Sequence, residues 1–267
     1  GETRVLNERI AVDLALEDVA PVRELTANMR EAVKDRPVDV FVQTGAARRK
    51  RLLIADMDST MIGQECIDEL AAELGLKDRI AAITERAMRG EIEFEPALRE
   101  RVGLLAGLDV SVIASVIESR ITLTPGGRTL VATMRANGAY CALVSGGFTA
   151  FTTHIAAEIG FDENRANTLL TESGRLTGKV AEPILGRDAK RARLQELAGE
   201  KGLDLSETLA VGDGANDLAM IELAGLGVAY HAKPRVAEQA DARIDHGDLT
   251  ALLYLQGYSV GEFATRD

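Results

Sequence analysis

The sequence contains few of the residues that build disulfide frameworks or zinc sites. Its only cysteines are Cys66 and Cys141, which are far apart in the chain. Two separated cysteines indicate neither a disulfide framework nor a zinc knuckle, and we expect both to be buried as small apolar side chains. The three histidines, His154, His231 and His246, have neither the HExxH nor the HxH spacing of a metal site. A histidine catalyst or a histidine-bound metal is therefore not expected.

Long apolar runs and an excess of positive charge are also missing. Apolar runs such as Leu52–Ala55 and Ala142–Val144 are far shorter than the roughly 20 residues that a membrane-spanning helix needs. The opening residues, GETRVLNERI, lack the basic-then-apolar layout of a secretory signal, so we expect a cytoplasmic protein. The formal net charge of -11 makes a broad electrostatic attraction to nucleic acid or anionic membranes unexpected.

The pattern of apolar residues predicts a parallel sheet covered by helices. Short apolar segments, with helical patterns between them, recur at Leu52–Ala55, Cys141–Val144, Leu209–Val211 and Gly227–Tyr230. This alternation is typical of parallel α/β sheets. The first two segments are much farther apart than one crossover helix requires, which predicts an inserted domain.

The predicted insert is helical, and we interpret it as a lid. Three groups of apolar residues lie at helical spacing on shared faces: Ile67, Leu70, Ala71 and Leu74; Leu98, Val102 and Leu105; and Val112, Val116 and Ile117. Beyond the second core strand, residues Asn167–Ile184 contain the turn signal Glu172-Ser173-Gly174 and predict a hairpin.

Residues 1–47 precede the main sheet, and we predict a small β-α-β segment there. Residues 10–16 alternate as in a strand, a helix begins near Pro21, and Val38–Val42 has the pattern of a second strand. So short a unit does not fold alone, and we expect it to dock on the main body or to pair with a second copy as a homodimer. The basic stretch Arg48–Arg51 is interpreted as a solvated linker.

Polar, glycine-bearing segments follow three of the predicted strands. The first strand ends in Asp56 and Asp58, the second in Ser145-Gly146-Gly147, and the third in the run Gly212–Asp217. Ligands of open α/β sheets bind at the carboxyl ends of the strands, so these segments are expected to converge on one crevice. Single aspartates after strands are commonly turn formers. A cluster of them requires a cation, and a donor set made only of oxygen suits magnesium.

Two nucleotide motifs and one catalytic triad are excluded. Gly212-x-Gly214 follows a strand as a dinucleotide fingerprint does, but Asp217 replaces its third glycine, and no GxxxxGK[ST] sequence occurs, so ATP or GTP is not expected as substrate. Ser145 has no histidine at a suggestive spacing, which argues against a serine triad. Lys190, judged alone, is one of several cations in its helix, which is typical of a solvated surface.

Together these motifs resemble a known family. The combination DMDST, SGGF, a lysine and GDGAND is similar to the haloacid-dehalogenase-type phosphatases, and the similarity runs through DMDSTMIGQECIDELA, FEPALRERV, VSGGFTAF, RLTGKV and VGDGANDLAM. It covers roughly residues 51–250, and within the family the chain closely resembles the members that act on phosphoserine. The resemblance implies a doubly wound parallel sheet, the Rossmann-like catalytic core, at residues 48–63 and 124–267. A helical cap at residues 64–123 would determine substrate specificity.

The resemblance also implies a role for each motif residue. Asp56 would be the nucleophile and Asp58 the general acid and base, with Lys190 as the third catalytic residue. Mg²⁺ would be bound by the carboxylates of Asp56 and Asp213 and by the backbone carbonyl of Asp58, with Asp217 supporting the site. The remaining implied contacts are those to phosphate, from Ser145, Gly146, Lys190 and Asn216, and those to the serine part, from Glu65, Met88, Phe94 and Arg101.

These roles predict that the chain converts O-phospho-L-serine to L-serine and phosphate, the last step of serine biosynthesis, through a covalent aspartyl-phosphate. Phosphoserine is zwitterionic beyond its phosphate, and Arg101 and Glu65 would supply the cation and the anion that it needs. Three alternatives remain open. The substrate could be another small phosphomonoester, the phosphate could pass to an alcohol in place of water, or the chain could be a receiver or binding module. The long insert and the pairing of Asp56 with Asp58 argue against the third.

Overall fold

The computed structural model describes residues 2–16, 21–45, 47–88 and 91–264, without the side chains of Arg23 and Met88. The strands in chain order are β1 (Thr3–Asn7), β2 (Ala11–Leu14), β3 (Leu52–Ala55), β4 (Tyr140–Phe148), β5 (Glu163–Asn167), β6 (Leu169–Glu172), β7 (Arg175–Val180), β8 (Thr208–Gly212), β9 (Leu226–Tyr230) and β10 (Ala242–Ile244). The four predicted core strands are therefore confirmed as β3, β4, β8 and β9.

The described residues contain α-helices before, between and after the strands of the sheet. In chain order they are α1 (Val22–Ala32), α2 (Cys66–Ala72), α3 (Lys77–Met88), α4 (Phe94–Gly103), α5 (Ser111–Arg120), α6 (Gly127–Ala136), α7 (Thr149–Ile159), α8 (Arg187–Lys201), α9 (Leu218–Ile221), α10 (Pro234–Gln239) and α11 (Ala251–Leu255). None of the described helices has the length and apolar character needed to cross a bilayer. The expected helical insert is formed by α2–α5.

The central sheet places β3 in its middle. Six parallel strands lie in the order β10-β9-β8-β3-β4-β5, with Leu52 of β3 opposite Tyr140 on one side and Thr208 on the other. Successive β3 residues face opposite sides of the sheet: Leu53 packs in the core that includes α6 and α7, and Leu52 in the core that includes α8 and α9. Segments that follow β3, β4 and β8 therefore meet at one edge.

The predicted hairpin is β6–β7, and it contacts the helical insert. Its turn holds Ser173 and Gly174, both with positive φ, as a two-residue hairpin turn requires. The backbone of β7 exchanges hydrogen bonds with the connection between α4 and α5, where Gly107 N–H donates to the carbonyl of Leu176 at 2.8 Å and Leu176 N–H donates to that of Leu108 at 2.8 Å. The hairpin thereby fastens the insert to the rest of the chain.

The β-α-β prediction for the N-terminal segment is wrong, because the order is β-β-α. The strand predicted over residues 10–16 is the shorter β2, and it pairs antiparallel with β1, which was not predicted. Val38–Val42 forms no strand. The backbone there is held by its side chains instead: the Asp39 carboxylate accepts hydrogen bonds from Asp245 N–H and Gly247 N–H at 2.8 Å, and Phe41 packs against the core.

The interpretation of the basic stretch as a solvated linker is wrong for Arg48 and Lys50, which are docked on the main body, whereas Arg49 and Arg51 are exposed. The Arg48 guanidinium binds Asp13 of β2 at 2.7 Å and donates to the carbonyl of Leu255. Lys50 is buried, and its ammonium donates to the carbonyls of Ala47 and Ser206. The N-terminal segment is thus attached to the main body through these contacts.

Candidate active site

The site is built around Asp56, the first residue after β3. Its backbone N–H donates to the carbonyl of Val211 in β8 at 3.0 Å, which continues the pairing of the two strands. The side chain is 3% exposed, and its Oδ1 accepts a hydrogen bond from Met57 N–H at 2.7 Å. Because β3 lies between β8 and β4, Asp56 has Asp213 on one side and Ser145 on the other.

Three buried carboxylates surround one small volume. One oxygen each from Asp56, Asp213 and Asp217 lies within 4.8 Å of the others. Burial, followed by repulsion from Asp56 and Asp217, raises the pKa of Asp213 to about 8. Burial and the charge of Asp56 raise the pKa of Asp217 to about 7. So costly an arrangement of negative charges fits a bound cation, and an all-oxygen donor set fits Mg²⁺.

Lys190 balances part of this charge. Its ammonium lies 2.8 Å from Asp56 Oδ1 and 2.6 Å from Asp217 Oδ1, and the side chain is 1% exposed. Burial alone would lower the pKa of Lys190, but the two carboxylates outweigh it and raise that pKa. The interpretation of Lys190 as a solvated cation is therefore wrong. Asp217 is fixed from its other side, where its Oδ2 accepts a hydrogen bond from Gly214 N–H at 3.0 Å.

Asp58 lies in the irregular turn that follows Asp56 and faces the helical insert. Ser59 in this turn has a φ of 54°, which reverses the chain toward α2. Asp58 Oδ1 accepts a hydrogen bond from Cys66 N–H, at the first residue of α2, at 3.1 Å. Burial, with repulsion from Glu65 and Asp56, raises the pKa of Asp58 to about 8 despite this hydrogen bond. Asp56 and Asp58 thus have different surroundings although they are only two residues apart.

The end of β4 comes close to Asp58. A Cβ on Gly147 would lie 2.7 Å from Asp58 Oδ2 and 3.1 Å from Ser145 Oγ, so this position requires glycine. Ser145 is buried, and its Oγ accepts a hydrogen bond from Gly147 N–H at 2.9 Å. A Cβ on Gly146 would lie 4.0 Å from Asn216 Nδ2. The structure therefore brings together the residues expected to hold phosphate.

We call the residues at the strand ends and in the adjacent helix the floor of the site: Asp56, Asp58, Ser145, Lys190, Asp213 and Asp217. The insert supplies further side chains beside this floor. Glu65 Oε1 accepts a hydrogen bond from Ser59 Oγ at 2.7 Å, which ties it to the turn that holds Asp58. Arg101 donates to Thr84 Oγ1 at 3.3 Å; burial lowers its pKa, and the nearby Glu65 carboxylate opposes that shift. Phe94 lies beside the end of β4. Met88 ends α3, and its side chain lies outside the described part of the structure.

Two residues at the site were not predicted, Lys233 and Asn167. Gly147 was placed in the crevice with Ser145 and Gly146 but was given no role. Lys233 follows β9, its N–H donates to the carbonyl of Asp213 at 3.2 Å, and its half-exposed ammonium lies 4.0 Å from Asp213 Oδ2. The strand-end rule, extended to the fourth predicted strand, would have found it. Asn167 ends β5 and contacts Gly146. It could not be found in this way, because β5 was not predicted.

The fold and the site define the class of protein. Residues 53–222 match the haloacid dehalogenase-like hydrolase family. This match spans more than half of the chain, and the chain belongs to that family.

Individual relatives have a narrower description. The chain is 42% identical over 261 residues to the phosphoserine phosphatase of Streptomyces coelicolor, which covers 96% of this chain and 63% of that relative. It is also similar to two solved structures, each covering 77% of this chain and 98% of the other. One is a phospho-aspartyl intermediate analogue of phosphoserine phosphatase, at 40% identity and a TM-score of 0.72. The other is a substrate-bound phosphoserine phosphatase complex, at 39% identity and a TM-score of 0.73. The chain thus spans less than two thirds of the Streptomyces relative.

Proposed function

We propose that this chain is a Mg²⁺-dependent phosphoserine phosphatase that forms a covalent aspartyl-phosphate on Asp56. The observation that carries the proposal is the arrangement around Asp56: Lys190 and two further buried carboxylates on one side, and Asp58 with its raised pKa on the other. A nucleophilic carboxylate beside a second carboxyl group that is protonated near neutral pH is the pair that covalent catalysis and general acid catalysis need. The similarity to phosphoserine phosphatases supports the same assignment.

In the first step a carboxylate oxygen of Asp56 attacks phosphorus, and the bond between phosphorus and the serine oxygen breaks. Asp58 donates its proton to that departing oxygen, so serine leaves as the alcohol. Ser145, the N–H of Gly146, Asn216 and Lys190 hold the phosphate oxygens so that attacking and leaving groups lie in line. Lys190 is already between Asp56 and Asp217, so its charge needs little rearrangement to meet the phosphate.

In the second step a water attacks the phosphorus of the aspartyl-phosphate. Asp58, now a carboxylate, takes the proton from that water, and the Asp56–phosphate bond breaks to give phosphate and free Asp56. Bound Mg²⁺ would neutralise negative charge between Asp56 and the phosphate oxygens. Its ligands would be the carboxylates of Asp56 and Asp213 and the backbone carbonyl of Asp58, with Asp217 supporting the site.

Specificity for phosphoserine would come from residues 64–123, as a cap over a core made of residues 48–63 and 124–267. In support, α2–α5 lie between β3 and β4, and they or their flanking turns carry Glu65, Met88, Phe94 and Arg101. Arg101 would pair with the substrate carboxylate and Glu65 with its ammonium. A dedicated pair of this kind also distinguishes the serine-forming reaction, the last step of serine biosynthesis, from general phosphatase activity.

The test is phosphate release from phosphoserine, phosphothreonine, glycerol phosphate and nitrophenyl phosphate, with and without Mg²⁺. We expect Mg²⁺-dependent turnover with the highest kcat/KM for phosphoserine. Equal kcat/KM for glycerol phosphate would refute the proposed substrate, and full activity after exhaustive chelation would refute the metal. Transfer of phosphate to added alcohol in place of water would show as serine released in excess of free phosphate.

We further propose that the N-terminal segment forms a homodimer with a second copy of the chain. Val5 and Val12 are cross-strand partners in the β1–β2 hairpin, yet they are 59% and 53% exposed, and Leu14 is exposed beside them. An apolar hairpin face of this kind is marginal in water without a partner. Light scattering should give a dimer for the intact chain and a monomer for Val12→Asp. A monomeric wild type across micromolar concentrations would contradict this.

A further inference from the structure

Asn167 is the last residue of β5. Both the nitrogen and the oxygen of its side-chain amide form hydrogen bonds to the backbone of two other segments. Its Nδ2 donates to the carbonyls of Gly146 at 2.8 Å and of Leu185 at 3.2 Å, and its Oδ1 accepts a hydrogen bond from Leu185 N–H at 2.7 Å. The side chain is 2% exposed. A buried amide with three backbone partners has one orientation, and it fixes the two segments relative to each other.

The first of these segments is the stretch of β4 expected to hold phosphate. The register of β4 against β5 shifts between Val144 and Phe148, so the regular ladder is interrupted at Ser145–Gly147. Within this interruption the Gly146 carbonyl accepts its hydrogen bond from the Asn167 side chain. Asn167 therefore replaces a missing ladder contact where the backbone must bend around the phosphate.

The second segment leads into the helix of Lys190. Leu185 and Gly186 directly precede α8, and the carbonyl of Gly186 accepts the N–H of Ala189 at 3.2 Å and of Lys190 at 3.4 Å in its first turn. The hydrogen bonds between Asn167 and Leu185 thus hold the start of the helix that carries the buried ammonium. One side chain sets the distance between two of the groups that would hold the phosphate.

The same two segments also form the surface on which the insert rests. A Cβ on Gly146 would lie 3.4 Å from the Phe94 ring, and a Cβ on Gly186 would lie 3.3 Å from it. Both positions are glycine, and Phe94, at the start of α4, packs on both. We call Gly146 and Gly186 the Phe94 seat. Its two halves belong to the segments that Asn167 joins.

We propose that Asn167 is a positioning residue that holds the phosphate-binding end of β4 and the start of α8 at the spacing that also seats Phe94. The inference rests on the proposed function, because Phe94 and the end of β4 are substrate-binding elements only there. Phosphate binding and closure of the insert are thereby linked through one side chain. A purely structural asparagine would affect stability alone, and Asn167 should in addition affect ligand affinity.

The main variant is Asn167→Asp, which keeps the size of the side chain and removes both donated hydrogen bonds. Asn167→Ser removes the amide without adding charge. The matched control is Asn164→Asp on the same strand, where the side-chain oxygen accepts a hydrogen bond from Thr152 Oγ1, a role that a carboxylate oxygen retains. For each Mg²⁺-loaded protein we would measure the dissociation constant of inorganic phosphate by calorimetry, the melting temperature, and kcat and KM for phosphoserine.

Both Asn167 variants should bind phosphate about tenfold or more weakly and raise KM, while Asn164→Asp binds within twofold of wild type. Wild-type phosphate affinity in both Asn167 variants would overturn the proposal. The proposal would also be overturned if Asn164→Asp lowered the melting temperature and the phosphate affinity as much as the Asn167 variants do. Phosphate affinity is measured without turnover, so the positioning role of Asn167 is tested even if phosphoserine is not hydrolysed. A wild type that binds no phosphate would overturn both proposals.

Gly186→Ala tests the Phe94 seat and leaves Asn167 in place. The added methyl group presses on the Phe94 ring, so KM for phosphoserine should rise several-fold. Phe94→Leu alone will change KM as well, so Gly186→Ala is also made in that background, where it should raise KM less than it does beside Phe94. If both Asn167 variants fail to fold, this comparison decides. An unchanged KM in Gly186→Ala, or an equal rise of KM in both backgrounds, would then overturn the proposal.

Discussion

The floor of the site and its cap are built in different ways. On the floor, the buried carboxylates of Asp56 and Asp217 are both ion-paired with the buried Lys190, and each residue comes from a strand end or the helix beside it. On the cap side, Glu65 is exposed and accepts a hydrogen bond from Ser59. Arg101 is half-buried and donates to Thr84 Oγ1 and to the carbonyl of Ala97. The groups proposed to perform the reaction are therefore more deeply buried than those proposed to select the substrate, so a substitution on the cap should leave the floor undisturbed.

The largest effect should follow from removing the nucleophile on the floor. Asp56→Asn should abolish turnover of phosphoserine and nitrophenyl phosphate alike, because an amide is a poor nucleophile, while its shape leaves the fold intact. Steady-state phosphate release and circular dichroism check both points. Asp188→Asn, an exposed position at the start of α8, is the control and should behave as wild type. Activity near that of the wild type in Asp56→Asn would refute the proposed aspartyl-phosphate mechanism.

The second effect separates two functions within the floor. Asp58→Asn should slow turnover by about 10²- to 10⁴-fold, the usual size of a general acid-base contribution. Nitrophenolate leaves without protonation, so this variant should still form the aspartyl-phosphate from nitrophenyl phosphate quickly. Stopped-flow absorbance should then show a burst of nitrophenol followed by slow turnover. A normal steady-state rate would remove Asp58 from its role.

The floor was largely predictable because its residues follow strands that are short, apolar and fully buried. The predicted strand Leu52–Ala55 has the same bounds as β3. The aspartates that follow it were predicted from the rule that ligands bind at the carboxyl ends of the strands. Lys190 was different. Its helix also carries Arg187, Arg191 and Arg193, so composition and spacing alone did not single it out, whereas the family resemblance did. Its contacts with Asp56 and Asp217, which are distant in sequence, give the physical reason.

The elements that were predicted wrongly or not at all have no distinctive local sequence pattern. β5 reads ENRAN, which is polar because it is an edge strand, and β10 has only three residues. Without β5, Asn167 could not be assigned to a strand end. Val38–Val42 has the alternation of a strand, but its backbone is held by the Asp39 carboxylate and by Phe41 in place of a ladder partner. Such contacts depend on the assembled fold.

The third effect isolates the cap. Arg101→Ala removes the proposed partner of the substrate carboxylate, a charge-assisted contact of about 1.5 to 3 kcal/mol, so kcat/KM for phosphoserine should fall about 10- to 150-fold. Nitrophenyl phosphate lacks that carboxylate and should be affected much less. Arg99→Ala on the same helix removes exposed ion pairs with Glu95 and Glu182 and serves as the control. Equal losses for both substrates would assign Arg101 to the fold or to closure of the cap.

The smallest effect concerns the electrostatics of the floor without substrate. In the metal-free fold Asp213 has a pKa of about 8 and Asp217 one of about 7, both above the usual carboxyl range. The folded protein therefore holds protons that the unfolded chain has released, and metal-free stability should fall as pH rises from about 4 to about 8. Mg²⁺ must displace the proton of Asp213 below pH 8, so its dissociation constant should be about tenfold higher at pH 6 than at pH 7.

Calorimetric titration of Mg²⁺ at the two pH values, with melting temperatures in EDTA and in saturating Mg²⁺, checks this expectation. The gain in melting temperature on adding Mg²⁺ should be larger at pH 8 than at pH 6, because fewer protons have to leave. Ion pairs outside the floor, such as Glu262 with Arg49, change with pH equally in both series and cancel in the difference.

The Arg101→Ala variant is the control, and it should show the same pH dependence as wild type, since the cap is not expected to bind the metal. A Mg²⁺ affinity independent of pH would mean that these carboxylates are ionised at pH 6 even without metal. Their pKa values would then not be raised, and the argument that their charges require a bound cation would be lost.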